Sequence, residues 1–462
     1  MPRSKSVSRR DFVRAATLAV AAPTVISSRA LGRADTPAPS ERLNLGFIGI
    51  GKQAGISGHL GRYSGMAAAQ VVALCDVHTG RRERAKANTE KKYENLERKA
   101  TVAQCVDYHE LLARKDVDAV VIGVPDHWHT AIAMNAAMAG KDIYCEKPLT
   151  LTIHEAKTLL DTIRSTKRVF QTGSQQRSEG PFRQACEYIQ NGRIGKIKEV
   201  WVGVGPTSKP CDLPAQETPQ GLEWDMWLGQ APQRPYNEVI CRNAADPNAY
   251  PFNPGWRDYR EYSGGYVTDW GAHHFDITQW ALGMDHAGPS EILPPSGEHD
   301  EYGAQLIYRG SKVGDEILVT HKNVVWEGEV KGRNGQVRQV KESNGIQFIG
   351  TEGKIFVNRS MIVSEPDTIL KESIHEDEAF YFKSPGHHED WMNCIKTRNR
   401  PIADVEVGAR SVTVCHLVNL AYWHRRKLKW DPQAWEFPGD AEANGWRDRA
   451  RRDKYQLPVA TA

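Results

Sequence analysis

The sequence predicts an α/β protein in two parts: a doubly wound parallel sheet, then a C-terminal α/β domain with a large, mostly antiparallel open sheet. Three observations predict it. Apolar runs alternate with helix-forming stretches from residue 43 to residue 174. The first run ends in spaced glycines, Gly49-x-Gly51-x-x-x-Gly55. After Gly180 the pattern changes to β-rich runs such as "IKEVWVGVG" and "NGIQFIGTEGKIFV", set among aromatic and proline-rich loops.

Residues 1–34 read as a leader. Arg9 and Arg10 sit in "SRRDFV", a modest apolar run spans Ala15 to Ile26, and Ser28-Arg29-Ala30 offers a small-x-small cleavage site. This resembles a twin-arginine export signal, a route that exports folded proteins, and predicts a periplasmic or secreted protein with the Tat export machinery as a partner. Residues 35–42, "DTPAPSER", form a linker. No later stretch is long and apolar enough to span a bilayer.

The first domain spans 43–174. "LNLGFIGIG" is a buried strand running into glycines, and a helix follows it. "QVVALCDV" is the next strand, and a long charged helix covers Arg81 to Lys99. "DVDAVVIGVP" is an apolar run ending in Pro125. "TAIAMNAAMAGK" is a helix stopped by Gly140. "DIYCEKP" is a strand, "IHEAKTLLDTIRS" a helix and "RVFQTGS" a further strand. Residues 175–462 form the second domain.

The glycines permit a tight turn and close backbone approach, so a pyrophosphate can rest on N–H groups at the N-terminus of the next helix. Asp76 ends the second strand, about 25 residues on, where a carboxylate takes a ribose hydroxyl. An acid there favours NAD, while Arg81 and Arg82 leave NADP open.

Over 462 residues, 40% hydrophobic and 25% charged, the composition is that of a globular protein, and a net charge of +3 gives no reason to expect nucleic acid. The eight cysteines include no C-x-x-C pair, which excludes zinc-ribbon and thioredoxin readings. Cys211 and Cys241 flank a loop-rich segment and leave a disulfide open. Trp224, Trp227, Trp256, Trp270 and Trp280 cluster in the second half, as packing or, for one or two, as the wall of a sugar site.

The stretch "GGYVTDWGAHHFDITQW" carries Asp269, His273, His274 and Asp276. If it is helical, Asp269, His273 and Asp276 share one face and His274 points about 100° away. Such a face could bind a metal, do acid–base chemistry or form a buried polar network. A zinc site from His273, Asp276 and His129 is not favoured, because no ligand spacing is diagnostic, so no metal is expected.

Later motifs narrow the reading. "VPDHWHTAIAMNAAMAGKDIYCEKP" carries Pro125 with Asp126, His129 opening a helix, and Glu146-Lys147-Pro148, in that order. With the glycine turn and the Asp269/His273 stretch, the chain resembles the glucose–fructose oxidoreductase / inositol dehydrogenase / MocA (Gfo/Idh/MocA) family over about residues 43–430. The resemblance implies a Rossmann domain binding NAD(P), then an α/β domain whose open sheet builds a homo-oligomer, dimer or tetramer. It places the substrate over the nicotinamide between the domains. It assigns the cofactor to Gly49, Gly51, Gly55, Asp76, Pro125, His129 and Glu146, and catalysis to Lys147, Asp269 and His273.

An alcohol that loses hydride must also lose its hydroxyl proton, and a histidine titrating near neutrality, with Lys and Asp beside it, accepts one. Gln175, Arg177, Arg257 and His274 join Lys147 as substrate-side residues, with His274 unexplained. "GHHEDWMNCIKTRNRP" holds His387 and His388. In the family that region is a helix packed near the sheet, so no function is expected of His388.

The expected function is NAD(P)-dependent oxidation of a sugar or polyol hydroxyl by hydride transfer. Outside the cytoplasm free NAD is scarce, so the cofactor is expected to be bound before export, retained and recycled. The alternative is an NAD-dependent glycoside hydrolase working through transient 3-keto oxidation and elimination. It uses the same hydride and proton machinery.

Overall fold

Strands β1 (Leu43–Ile48), β2 (Ala69–Cys75), β3 (Ala103–Cys105), β4 (Ala119–Ile122), β5 (Asp142–Cys145) and β6 (Phe170–Thr172) form one sheet in the order β3-β2-β1-β4-β5-β6. Every neighbouring pair is parallel. Between them run α1 (His59–Gly65), α2 (Thr79–Asn95), α3 (Tyr108–Leu112), α4 (Asp126–Met138) and α5 (Ile153–Thr166). Helices on both faces leave the central strands no wet side, so Ala119–Ile122 is apolar and buried at every position. This is a Rossmann sheet. Its order reverses between β1 and β4, where the strand ends open a crevice. The computed structural model describes residues 37–98, 101–241, 255–331, 336–378 and 381–459. The leader expected over 1–34 lies outside the described residues.

Two boundaries differ from expectation. The charged helix α2 starts at Thr79, capped by the His78 ring, and ends at Asn95, just before Glu97 adopts a φ of 53°. After β1, turns occupy residues 51–58, and α1 begins only at His59. The glycine turn is therefore longer than the fingerprint implies, and no helix N-terminus stands directly behind Gly51.

The second domain follows with α6 (Gly180–Gln190), β7 (Ile197–Gly203), α7 (Trp224–Leu228), α8 (Tyr266–Asp269) and α9 (Gly271–Ala281). Then come β8 (Glu291–Leu293), β9 (Gln305–Ser311), β10 (Gly314–His321), β11 (Trp326–Lys331), β12 (Val337–Glu342), β13 (Gly345–Gly350), β14 (Lys354–Val357) and β15 (Ile362–Glu365). It closes with α10 (His387–Thr397), α11 (Val405–His424), β16 (Leu428–Lys429) and α12 (Ala441–Gly445). The large sheet runs β15-β14-β13-β7-β10-β9-β8-β16, antiparallel throughout except for β7 with β10. β11 and β12 form a separate ribbon.

In β7, Ile197, Val200 and Val202 are buried while Lys198 is exposed and Glu199 and Trp201 are half-buried. α9 is buried at every position, from Gly271 to Ala281. A helix with no wet face must satisfy each of its polar side chains internally. All eight cysteines are free thiols, Cys211 and Cys241 included.

Candidate active site

The glycine turn follows β1, Pro125 follows β4, and Glu146-Lys147 follows β5, so all three motifs open on the same edge of the sheet. They line a cavity of about 740 Å³ whose opposite wall comes from the second domain, through Trp227, Arg257, Asp269 and His273. The cavity is roomy enough for a dinucleotide with a small substrate.

On the cofactor side, Gly49 has a φ of +79°, and an added Cβ would lie 2.6 Å from Val124 Cγ1. At Gly51 a Cβ would meet nothing within 4 Å and would project into open space. Gly55 is packed so that its Cβ would fall 2.5 Å from the Gly51 carbonyl oxygen. The turn is thus a bare backbone cradle along the cavity, which fits a pyrophosphate. Asp76 lines the same wall. Its Oδ2 accepts from the Ile50 N–H at 2.8 Å and its Oδ1 from the His78 N–H at 2.9 Å. Each oxygen keeps a lone pair for a ribose hydroxyl. Arg81 lines the cavity, whereas Arg82 turns back to Thr79.

Pro125 caps α4. His129 is not brought to the cavity. Its ring nitrogens lie 2.7 Å from the Pro148 oxygen and 3.0 Å from the Val124 oxygen, so it clamps the ends of β4 and β5 together behind Lys147.

Lys147 Nζ donates to Asp269 Oδ1 at 2.7 Å and to the Asp269 main-chain oxygen at 2.9 Å. That carbonyl is available because the helix steps at Trp270. The His273 N–H bonds to the Trp270 oxygen at 3.0 Å instead of to Asp269. Arg257 Nε also donates to Asp269 Oδ1, at 3.1 Å, with its guanidinium over the Trp256 ring. Burial pushes the Asp269 carboxyl up, but the Lys147 and Arg257 cations outweigh it and hold the group well below the usual carboxylate range. An ammonium has three donors, so Lys147 retains one for a ligand.

His273 Nε2 lies 3.1 Å from Arg359 Nη2, and His273 Nδ1 is buried without a partner. Arginine can only donate, so the ring proton sits on Nδ1. Burial first, then the Lys147 and Arg359 cations, hold the imidazole well below its ordinary range. A histidine titrating near neutrality was expected. The structure corrects this: the ring is held neutral, with its one N–H, at Nδ1, buried and unpartnered.

Asp276 and His274 do not join them. Asp276 is fully buried against Arg177, with Nε–Oδ2 at 2.9 Å, and takes the Ser411 hydroxyl at 2.7 Å. Arg177 also pairs with Asp285 at 2.7 Å and lies over Trp280. Arg177 is therefore a buried counter-ion away from the cavity, not a substrate-side residue. His274 turns into the sheet, with Nδ1 3.1 Å from the Gly203 oxygen, and is removed from the substrate set for the same reason. Among the described residues no group of three or more His, Cys, Asp or Glu side chains is placed to hold a metal.

Gln175 does reach the cavity and donates to Glu146 Oε1 and to Tyr144 Oη, each at 2.9 Å. Of the five tryptophans, Trp227, Trp256 and Trp270 line the wall. Sequence reasoning missed Arg359, a lone arginine in the turn after β14, and Tyr455 near the chain's end. No local pattern marks either. It also left Asp126 without a role. Asp126 lines the cavity, accepts from Ser263 Oγ at 2.7 Å, and is pushed up to about 7 by burial, against the pull of Arg257 and Lys147.

Comparison with known proteins follows the same division. Residues 43–174 match an oxidoreductase family's NAD-binding Rossmann fold, and residues 195–457 match the same family's C-terminal alpha/beta domain. Inositol 2-dehydrogenase of Salmonella paratyphi B is 31% identical over 183 residues, 39% of this chain and 50% of that protein. A glycosyl hydrolase family 109 protein of a Shewanella species is 32% identical over 180 residues, 35% of this chain and 38% of that protein. The chain thus spans half or less of the curated relatives it matches. The WlbA dehydrogenase of Bordetella pertussis, solved with NADH and UDP-GlcNAcA, superposes with a TM-score of 0.54 at 17% identity, over 84% of this chain and 98% of that one. The myo-inositol 2-dehydrogenase of Lactobacillus plantarum gives a TM-score of 0.51 at 17% identity, over 84% and 99%. With both halves matched in order, and the second match alone covering more than half of its length, this chain belongs to the Gfo/Idh/MocA oxidoreductase family.

Proposed function

We propose that this protein is an NAD(P)-dependent oxidoreductase that transfers hydride to and from a sugar or polyol hydroxyl. One observation carries the reading: a bare glycine cradle with Asp76 and a Lys147–Asp269–His273 cluster wall one continuous cavity. A bound nicotinamide supplies the hydride acceptor. The chain supplies the rest. Lys147, fixed by two bonds to Asp269, offers its third N–H to the substrate oxygen, and His273 offers Nδ1–H. Two donors, one of them cationic, stabilise the charge that develops on that oxygen. Asp269, held ionised, keeps Lys147 in place. Trp227, Trp256 and Trp270 give apolar faces suited to a pyranose or cyclitol ring. Asp76 supports NAD, and Arg81 at the cavity wall supports NADP as a second cofactor.

A second reading rests on the glycosyl hydrolase family 109 relative: hydrolysis through transient 3-keto oxidation and elimination. The twin-arginine leader supports export of the folded protein with its cofactor retained and recycled, which suits either chemistry. The half-exposed face of β7 supports a homo-oligomer assembled through the open sheet.

The test is to denature the purified protein and assay released nicotinamide cofactor, then to supply NAD⁺ with free polyols and, separately, with aryl glycosides. Reduced cofactor with a polyol supports the oxidoreductase. Aglycone release without net NADH supports the hydrolase. A protein that neither carries nor binds NAD(P) contradicts both.

A further inference from the structure

The segment carrying His388, to which the family pattern gives no role, meets the cavity through a buried row of polar groups. Glu146 Oε1 lies 2.6 Å from His59 Nε2, and His59 Nδ1 lies 2.8 Å from His388 Nε2. The three residues are 4%, 4% and 8% exposed. Glu146 faces the large cavity. His59 and His388 line a second one, of about 630 Å³, and Gln175 borders both.

The fold is shaped to make this contact. The turns at 51–58 deliver His59 to the first position of α1, and His388 stands in the first turn of α10. Gly173 leaves room for the carboxylate, since a Cβ there would lie 2.8 Å from Glu146 Oε1. Tyr144 stacks on His388 with ring centroids 5.4 Å apart, and Tyr63 packs edge-on against it. The other groups facing the row are His387 from α10, and Arg62 with Glu389, paired across α1 and α10 at 2.8 Å. Burying two imidazoles costs solvation that apolar side chains would not. The row instead is hydrogen-bonded link by link.

We propose that Glu146, His59 and His388 form a proton relay joining the catalytic cavity to the second cavity. This rests on the hydride-transfer reading. When an alcohol is oxidised, its C–H electron pair leaves as hydride to NAD⁺, its O–H bond breaks, C=O forms, and one proton per turnover must be carried away. With His273 presenting a donor, another route has to take it.

Burial opposes ionisation of Glu146, but the hydrogen bonds from His59 and Gln175 and the Lys147 cation outweigh it and hold the carboxyl below its ordinary range. In that resting state His59 Nε2–H donates to Glu146, and His388 Nε2–H donates to His59 Nδ1. A proton entering at His388 Nδ1 releases the one on His388 Nε2 to His59. His59 then passes its own Nε2 proton to Glu146. Three protons each move one link, and one net proton reaches the catalytic cavity, as carbonyl reduction requires. Oxidation starts from the opposite tautomers, with ring protons on His59 Nδ1 and His388 Nδ1. The substrate proton taken up by Glu146 passes to His59 Nε2, the His59 Nδ1 proton passes to His388 Nε2, and the His388 Nδ1 proton leaves into the second cavity.

The test has two arms. In cofactor-free protein labelled with ¹⁵N-histidine, NMR follows exchange of the His59 ring proton with water. The relay predicts exchange slower by about 10-fold or more in His388→Phe, with His388→Leu as the second variant should the first not fold. Equal rates in wild type and variant overturn it, whether or not a substrate has been found. The second arm uses His388→Ala with NAD⁺ and a polyol. The relay predicts NADH affinity and KM near wild type, kcat lower by about 10-fold or more, and recovery with added imidazole. An unchanged kcat, or a loss that imidazole does not restore, overturns it. Slowed exchange in a protein that oxidises no polyol would leave the relay standing and count against the hydride-transfer reading alone.

Discussion

Lys147 Nζ sits 2.7 Å from Asp269 Oδ1 and 2.9 Å from the main-chain oxygen of the same residue, tying the edge of the first sheet to the helix pair of the second domain. The side chains are 14% and 10% exposed, so the pair is largely out of water. Breaking such a pair from one side leaves an uncompensated charge. Lys147→Met is expected to lower kcat/KM by about 100-fold or more while NADH still binds, because the cradle at Gly51 is untouched. Steady-state kinetics with a fluorescence titration of NADH checks it.

The Arg177–Asp276 pair predicts the opposite division. Both side chains are almost fully buried and neither lines the cavity. Arg177→Leu should cost about 3–5 kcal/mol of stability, by analogy with other buried pairs broken from one side. The folded fraction should keep its KM. Denaturant unfolding beside kinetics at low temperature separates the two effects.

These two arginine and lysine sites show what the sequence makes legible. The Rossmann half is largely readable because its central strands β1, β2 and β4 are mostly apolar runs and each motif sits at a strand end, whereas the edge strand β3, Ala103–Cys105, has no buried position and is not legible as a strand. Lys147, Asp269 and the glycine turn meet as expected. Arg177 and His274 were misplaced because residue type and proximity in sequence carry no sign of which face of a buried element a side chain takes. For α9, buried all round, periodicity gives no inside and outside. The Glu146–His59–His388 row is invisible in sequence because its members lie 87 and 329 residues apart.

Acid should destabilise this protein early. His274, His321, His387 and His416 are all buried, and burial above all pushes each down to about 4. Unfolding restores ordinary values near 6.5, so between pH 6.5 and 4 the unfolded chain binds the extra protons. Stability present above 6.5 is lost progressively as pH falls toward 4. Asp126, raised to about 7, works the other way, as do the raised carboxyls of Glu179, Asp258, Asp276 and Asp390, but nine histidines among the described residues are lowered in all. Denaturant midpoints measured from pH 7.5 to 4.5 should fall steadily. A flat profile would contradict the buried, neutral state of these rings.

Asp126 gives a sharper signature within the cavity. Its carboxyl gains a charge as pH rises through about 7, beside Arg257 and Lys147. NADH affinity is therefore expected to show an inflection near pH 7 that Asp126→Asn abolishes. An inflection that persists in the variant assigns it elsewhere.

His273 predicts an absence of titration on the acid side. Its ring is neutral well below the ordinary histidine value. The plot of kcat/KM against pH should show no limb near 6.5 that His273→Gln removes, although that variant should lose about 100-fold in kcat with its donor misplaced. Stopped-flow assays over pH 5.5–8.5 check both points.

The central claim is that one cavity holds the nicotinamide and exchanges hydride with a carbon-bound hydroxyl beside Lys147. The most direct measurement supplies sugars and polyols deuterated at their carbinol carbons, denatures the protein, and examines the released cofactor by mass spectrometry and NMR. Deuterium at C4 of the nicotinamide, absent with Lys147→Met, is the predicted result. Cofactor that binds and returns unlabelled from every sugar and polyol would contradict the account.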